Sequence, residues 1–161
     1  MKKDIEIVSS NIKFKYRVSG LLVVDNKLLV CKINNNNFYC LPGGHVELFE
    51  NSRDAIIREF KEETLIDVKV ERLLYLTENF FKSGKYECHE IGMYYLLSAN
   101  NIKVEDFERK EEEIDGITTL SFKWQNIDNL ENIKPEFLKE KLDLDKTKHL
   151  VIKSDKIILE E

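Results

Sequence analysis

No stretch of this 161-residue chain approaches the ~18 consecutive apolar residues that a membrane-spanning helix needs. Asp4 and Glu6 put acids where a secretory signal would be apolar, which points to the cytoplasm. Cysteine is scarce. Cys31, Cys40 and Cys88 are an odd, scattered set with no zinc-ligand spacing, which argues against a disulfide framework and against a zinc site. Positive charge is also short: 25 Lys and Arg stand against 30 Asp and Glu, for a net charge of −5. A binder of DNA or RNA duplexes would carry a basic stripe, so none of that class is expected. An acidic protein can still handle an anionic substrate where a metal ion reverses the local sign. Internal repeats and dividing linkers are missing as well, and the length suits a single domain over residues 1–161.

What is present is a soluble mixture, about two-fifths apolar and one-third charged. Residues 18–32 read as two β-branched strands punctuated at Asp25, Asn26 and Lys27. The run Asn34-Asn35-Asn36-Asn37 is a solvated loop. Residues 38–41 form a short apolar segment ending at Pro42-Gly43-Gly44. Asn51 and Ser52 offer an N-cap for a helix over residues 52–65. Strands are expected over residues 68–77 and 90–98, with a turn at Ser83-Gly84-Lys85 between them. The acidic stretch 102–116 reads as a mobile loop. Leu120, Phe122 and Trp124 alternate as in a strand. A final helix is expected over residues 135–142, with Pro135 in its first turn, and one or two short strands over residues 149–159. The sum is an α/β chain with a mixed sheet and a helix on each face.

The chemistry concentrates in one segment. At ~100° per residue, Glu59, Glu62 and Glu63 share roughly one quadrant of the helix, and Ile56, Ile57 and Phe60 offer its anchor. Like charges so close repel and call for counter-charge. Arg58 lies four residues before Glu62 and within reach of Glu50. A hard divalent cation, Mg²⁺ above all, suits the remaining carboxylates. Gly43 and Gly44 let the backbone approach a ligand closely and offer a carbonyl to a metal shell. Each part has an ordinary explanation: a solvated acidic face, a turn, and in His45 a structural or solvent-facing side chain.

The spacing changes the balance. Gly44, five residues, Glu50, seven residues, then Arg58-Glu59, Phe60, Glu62-Glu63, Leu65 and Ile66 follow the pattern G-x5-E-x7-R-E-U-x-E-E-x-G-U. The segment resembles the Nudix box, and every charged position matches. Leu65 replaces the family's glycine, which implies a differently shaped helix end. Phe49 stands where a small residue is common. The strand pair before the box and the Phe122-Lys123-Trp124 strand after it also look like Nudix domains.

The resemblance implies an α/β/α sandwich with a mixed sheet. It also implies hydrolysis of a nucleoside diphosphate linked to another group: a nucleoside triphosphate, ADP-ribose, a nucleotide sugar or a dinucleoside polyphosphate. By matching position, Glu59, Glu62, Glu63 and the Gly43 carbonyl would bind Mg²⁺ or Mn²⁺. Glu59 would be the base, and Arg58 with Glu50 would orient the metal-binding carboxylates. A further carboxylate from a downstream loop would be Glu112 or Glu113. Lys32 and Arg17 are candidates for phosphate contact, and Tyr39, Phe80 and Trp124 for stacking on a base. His89 and Glu90 face the site or close a strand end. The partners implied are a small-molecule nucleotide and a second copy in a homodimer, with no membrane. Two rival readings carry less weight. A non-catalytic nucleotide-sensing Nudix module typically lacks box carboxylates, which this chain keeps. An isoprenoid diphosphate isomerase needs further metal ligands and a catalytic cysteine.

Overall fold

The structure is a computed structural model that describes residues 3–113 and 116–161, without the side chain of Glu113. Its organising element is β2 (Ile12–Val24), a thirteen-residue strand that β6 (Tyr86–Ser98) accompanies in parallel along its whole central length. The other edge of β2 is shared by three partners in turn. β1 (Glu6–Ser9) pairs with its start and β4 (Gly43–His45) with Arg17, Val18 and Ser19. β3 (Lys27–Ile33) pairs only with its tip, at Val23 and Val24. β2 and β3 therefore diverge from a common turn, and the chain segment carrying the two glycines enters the gap.

Beyond β6 the sheet continues through β5 (Lys69–Ser83), β9 (Lys148–Lys153) and β10 (Lys156–Glu160). Beyond β3 it continues through β8 (Gly116–Asn126) and β7 (Phe107–Glu113). The β2–β6 and β5–β9 pairs are parallel and the other named strand pairs antiparallel, so the sheet is mixed.

Side chains alternate across this sheet and build a core on each face. Val18 and Leu22 of β2, Leu29 and Cys31 of β3, and Tyr95 and Leu97 of β6 meet the helix α1 (Ser52–Thr64). Leu21, Leu28, Val30 and Tyr94 point the other way, toward Phe137 and Leu138. The architecture is an α/β/α sandwich whose second helical layer is reduced to a single 3₁₀ turn, Glu136–Lys139. Among the described residues, no helix is long and apolar enough to cross a membrane.

Helix α1 follows from its sequence. The Asn51 side chain accepts from the backbone N–H of Arg53 and Asp54 at 3.1 and 3.0 Å, the N-cap arrangement. Ile56 and Phe60, one turn apart, are fully buried, and burial of each stabilises the docked helix by about 1.5–3 kcal/mol. Ala55 completes that face, whereas Ile57, an expected anchor, is 38% exposed.

Three expectations need correction. The acidic stretch 102–116 is not a loop throughout: Phe107–Glu113 is strand β7, fixed by seven residue pairings with β8 and by the stacking of Phe107 on Phe122 at 4.5 Å. The helix expected over residues 135–142 stops after one 3₁₀ turn. Leu142 and Leu144, two residues apart, both pack on the same core, which an extended chain allows and a helix would not. Finally, Leu65 does not reshape the helix end. It adopts the left-handed conformation (φ 61°, ψ 8°) that a glycine would take there, and its N–H reaches the Lys61 carbonyl at 3.0 Å.

Candidate active site

The gap between β2 and β3 brings the glycine loop onto the C-terminal half of α1. A side chain at Gly43 would strike the Val18 carbonyl at 2.1 Å, and one at Gly44 would strike the Glu59 carboxylate at 2.3 Å. Only glycine permits this approach. Its result is a hydrogen bond of 3.0 Å from the Gly43 N–H to the Glu63 carboxylate.

Arg58 is the centre of the charged cluster. Its Nε and one terminal nitrogen bind both oxygens of Glu50 at 2.8 Å. That nitrogen also donates to the His45 carbonyl at 3.1 Å. The other terminal nitrogen donates to Glu59 Oε1 at 2.7 Å and lies 3.6 Å from Glu47 and 3.8 Å from Glu62. These bonds to Glu50 and Glu59 raise the pKa of Arg58 beyond its already high ordinary value. Among the described residues, one guanidinium thus faces four carboxylates.

Glu63 stands apart from Arg58. Burial pushes its carboxyl up to about 8, the Gly43 N–H opposes that shift, and the charge of Glu59 adds to it. Glu47 is the member that the sequence reading missed. It falls among the five unspecified positions between Gly44 and Glu50, where no pattern marks it. Its Oε1 is buried without a hydrogen-bond partner among the described residues, and its N–H binds Glu50 Oε2 at 3.1 Å.

The donors present suit a hard divalent cation: carboxylate oxygens on one helix face, with the Gly43 backbone beside them. Such a cation would also return the buried Glu63 to its charged form. Among the described residues, no three carboxylate, thiol or imidazole groups stand close enough to enclose a metal ion. Glu59 is turned onto Arg58 and Glu63 onto Gly43, which accounts for their separation.

The expected substrate contacts divide. Arg17, on β2 opposite His45, lies on the sheet face away from α1, with its Nε buried and unpartnered among the described residues. Its charge is felt at Glu63 and lowers it. The ammonium of Lys32 sits 4.5 Å from the centre of the Tyr39 ring and that of Lys123 5.9 Å from it. Lys123 was not anticipated, and Lys32 occupies ring surface that a base would need. Phe80 stacks on His89 at 4.4 Å, and Phe14 meets the same imidazole edge-on. Trp124 is only 7% exposed and donates from its indole to the Glu105 carbonyl at 3.2 Å, so it belongs to the core. Glu112 is an exposed strand residue, and Glu113, Ile114 and Asp115 lie outside the described side chains and residues. Alternation along β7 puts Glu111, half-buried, on the helix side with Phe107 and Arg109. Arg109 donates to the Glu62 carbonyl at 2.5 Å, so this strand touches the end of α1.

Known proteins resemble this chain in sequence and in fold. The family model described as NUDIX domain matches residues 13–143. An ADP-ribose pyrophosphatase from Methanocaldococcus jannaschii is 29% identical over 133 residues, which are 78% of each chain. A crystal structure of a MutT protein from Bacillus halodurans superposes with a TM-score of 0.59 at 15% identity, over 91% of this chain and 96% of that one. A UDP-X diphosphatase superposes with a TM-score of 0.55 at 24% identity over 74% of this chain. The match spans 54% of that protein's chain, about half its length. At these identities the two structures speak to the fold.

Proposed function

The chain belongs to the NUDIX domain family, and from that membership we propose that it hydrolyses a phosphoanhydride bond in a nucleoside diphosphate linked to another group, with Mg²⁺ as its metal. The observation that carries the proposal is the Arg58 centre, which holds Glu50 by two bonds and Glu59 by one beside Glu62, Glu63 and Gly43. Members of the family generally need a divalent metal. Glu59, Glu62, Glu63 and the Gly43 carbonyl would hold it here, and when bound it supplies polarisation of a phosphoryl oxygen and a more acidic water.

The remaining chemistry falls to the chain's own residues. The Glu59 carboxylate takes the proton from the attacking water. Arg58 keeps that carboxylate in place and prevents the cluster from flying apart. Arg17 Nε donates to a phosphate oxygen, and the ammonium groups of Lys32 and Lys123 attract the anionic substrate. Glu111 is the carboxylate that β7 offers to the helix end. The cytoplasm, where nucleotides are abundant, is the proposed location.

ADP-ribose is the first substrate to test, because the curated relative with similarity across 78% of both chains is an ADP-ribose pyrophosphatase. The test incubates the protein with Mg²⁺ and ADP-ribose, nucleoside triphosphates including oxidised ones, nucleotide sugars and dinucleoside polyphosphates, then separates the products by chromatography. The expected result is cleavage of one class at the diphosphate, slowed by Glu111→Gln and untouched by Glu112→Gln. Measurable ligand binding without turnover of any compound would transfer the weight to a nucleotide sensor.

A further inference from the structure

The three cysteines, which look unrelated in sequence, are not equivalent in space. Cys31 and Cys40 face each other across an antiparallel bridge, and each backbone N–H reaches the other's carbonyl at 2.8 Å. Their sulfur atoms are 3.4 Å apart. Cys88 lies on β6 beside Lys13 and points to the opposite face of the sheet from Cys31. Cys31 is buried in strand β3, whereas Cys40 is half-buried on the segment that leads directly into Pro42 and Gly43. We propose that Cys31 and Cys40 are an oxidation site, where a hydroperoxide converts the thiol pair into a reversible disulfide that controls the neighbouring glutamate cluster.

The chemistry needs no other residue. The more exposed Cys40 attacks the peroxide oxygen, the O–O bond breaks, and Cys40 becomes a sulfenic acid with release of water. Cys31 then attacks the Cys40 sulfur and displaces a second water. In sum, two thiols and one hydrogen peroxide give one disulfide and two waters: both sulfurs are oxidised and the peroxide oxygens reduced. A disulfide requires the sulfurs to close to about 2.05 Å, so the pair must move by more than an ångström. β3 is held along its length by β8, with seven paired residues. The movement therefore falls on the chain around Cys40. Two residues farther on, the Pro42 carbonyl is held by the Gly20 N–H at 2.9 Å, and the Gly43 N–H holds Glu63 at 3.0 Å. A displacement of about an ångström at a catalytic constellation can cost as much as ~100-fold in rate. Disulfides in a reducing cytoplasm are typically transient, which suits a reversible device.

The activity arm rests on the hydrolase reading; the covalent arm does not. The reduced protein is treated with hydrogen peroxide, free thiols are alkylated, and peptides are weighed without reductant. The expected result is a Cys31–Cys40 cross-linked peptide lacking two hydrogen atoms, with Cys88 alkylated. Hydrolysis should fall at least roughly tenfold and return with dithiothreitol. Cys40→Ala should keep its basal rate and lose the peroxide response, while Cys88→Ser should respond like the parent. Alkylation of both Cys31 and Cys40, or their passage to sulfinic acids without a cross-link, would overturn the site. A cross-link that leaves hydrolysis unchanged would overturn its control over the cluster. If the reduced protein turns over no substrate, the hydrolase reading fails and the mass measurement still decides the disulfide.

Discussion

Arg58 meets Glu50 and Glu59 within 2.8 Å and Glu47 and Glu62 within 3.8 Å, with about four-fifths of its side chain out of water. Removing it takes away the two-pronged partner of Glu50 and the 2.7 Å partner of Glu59, inside a crowded group of carboxylates. Arg58→Ala should therefore lower stability by about 2–4 kcal/mol, somewhat less than is usual for fully buried pairs because water still reaches the cluster. For a chain of this size the melting temperature should drop by roughly 5–15 °C in a thermal scan, and hydrolysis should be lost with it. Arg58→Lys should recover little, because an ammonium cannot hold both Glu50 oxygens in a planar fork. An unchanged melting temperature in Arg58→Ala would show that the network contributes no net stability. The charged residues of this site were legible in the sequence because their spacing is fixed by one helix and one loop. Glu47 was not, since only the turn of the chain from β4 to α1 brings it to Arg58.

At the scale of elements, α1 shows how local signals and tertiary contacts share control. Its start was legible from Asn51, and its register from Ile56 and Phe60. Its end was misjudged: Leu65 accepts the left-handed conformation because Thr64 is buried, with its hydroxyl on the Phe60 carbonyl at 2.6 Å, and because the Ile66 N–H binds that same hydroxyl at 3.1 Å. The cost remains in the backbone. Leu65→Gly should stabilise the protein by about 1 kcal/mol, a rise of roughly 2–4 °C in melting temperature, with little change in hydrolysis. No rise would mean that contacts of the leucine side chain compensate. β7 was the opposite case. Its run of charged residues, Glu108 to Glu113, conceals a strand, because the pairing with β8 and the Phe107–Phe122 stack supply what composition lacks. The 3₁₀ turn was overestimated for the same kind of reason: Pro135 suggested a helix start, but no side chain caps it and the following leucines favour an extended path.

At the scale of the whole molecule, the fold serves one arrangement: a mixed sheet that opens between β2 and β3 so that a glycine loop can press on the helix carrying the carboxylates. A net charge of −5 is compatible with the proposed metal, which would reverse the sign locally. The pairing of Cys31 with Cys40 was invisible in sequence, because eight intervening residues give no hint of the bridge that joins them. As proposed, hydrolysis depends on a metal and runs through the Glu59 carboxylate. The decisive experiment follows the rate of cleavage of the best substrate against Mg²⁺ concentration, starting from chelator-stripped protein, for the parent and for Glu59→Gln. The expected result is no cleavage without metal, saturable recovery with Mg²⁺, and a loss of at least about 100-fold in kcat for Glu59→Gln with its melting temperature kept within a few degrees. Undiminished cleavage by the stripped protein, or a Glu59→Gln variant as fast as the parent, would contradict it.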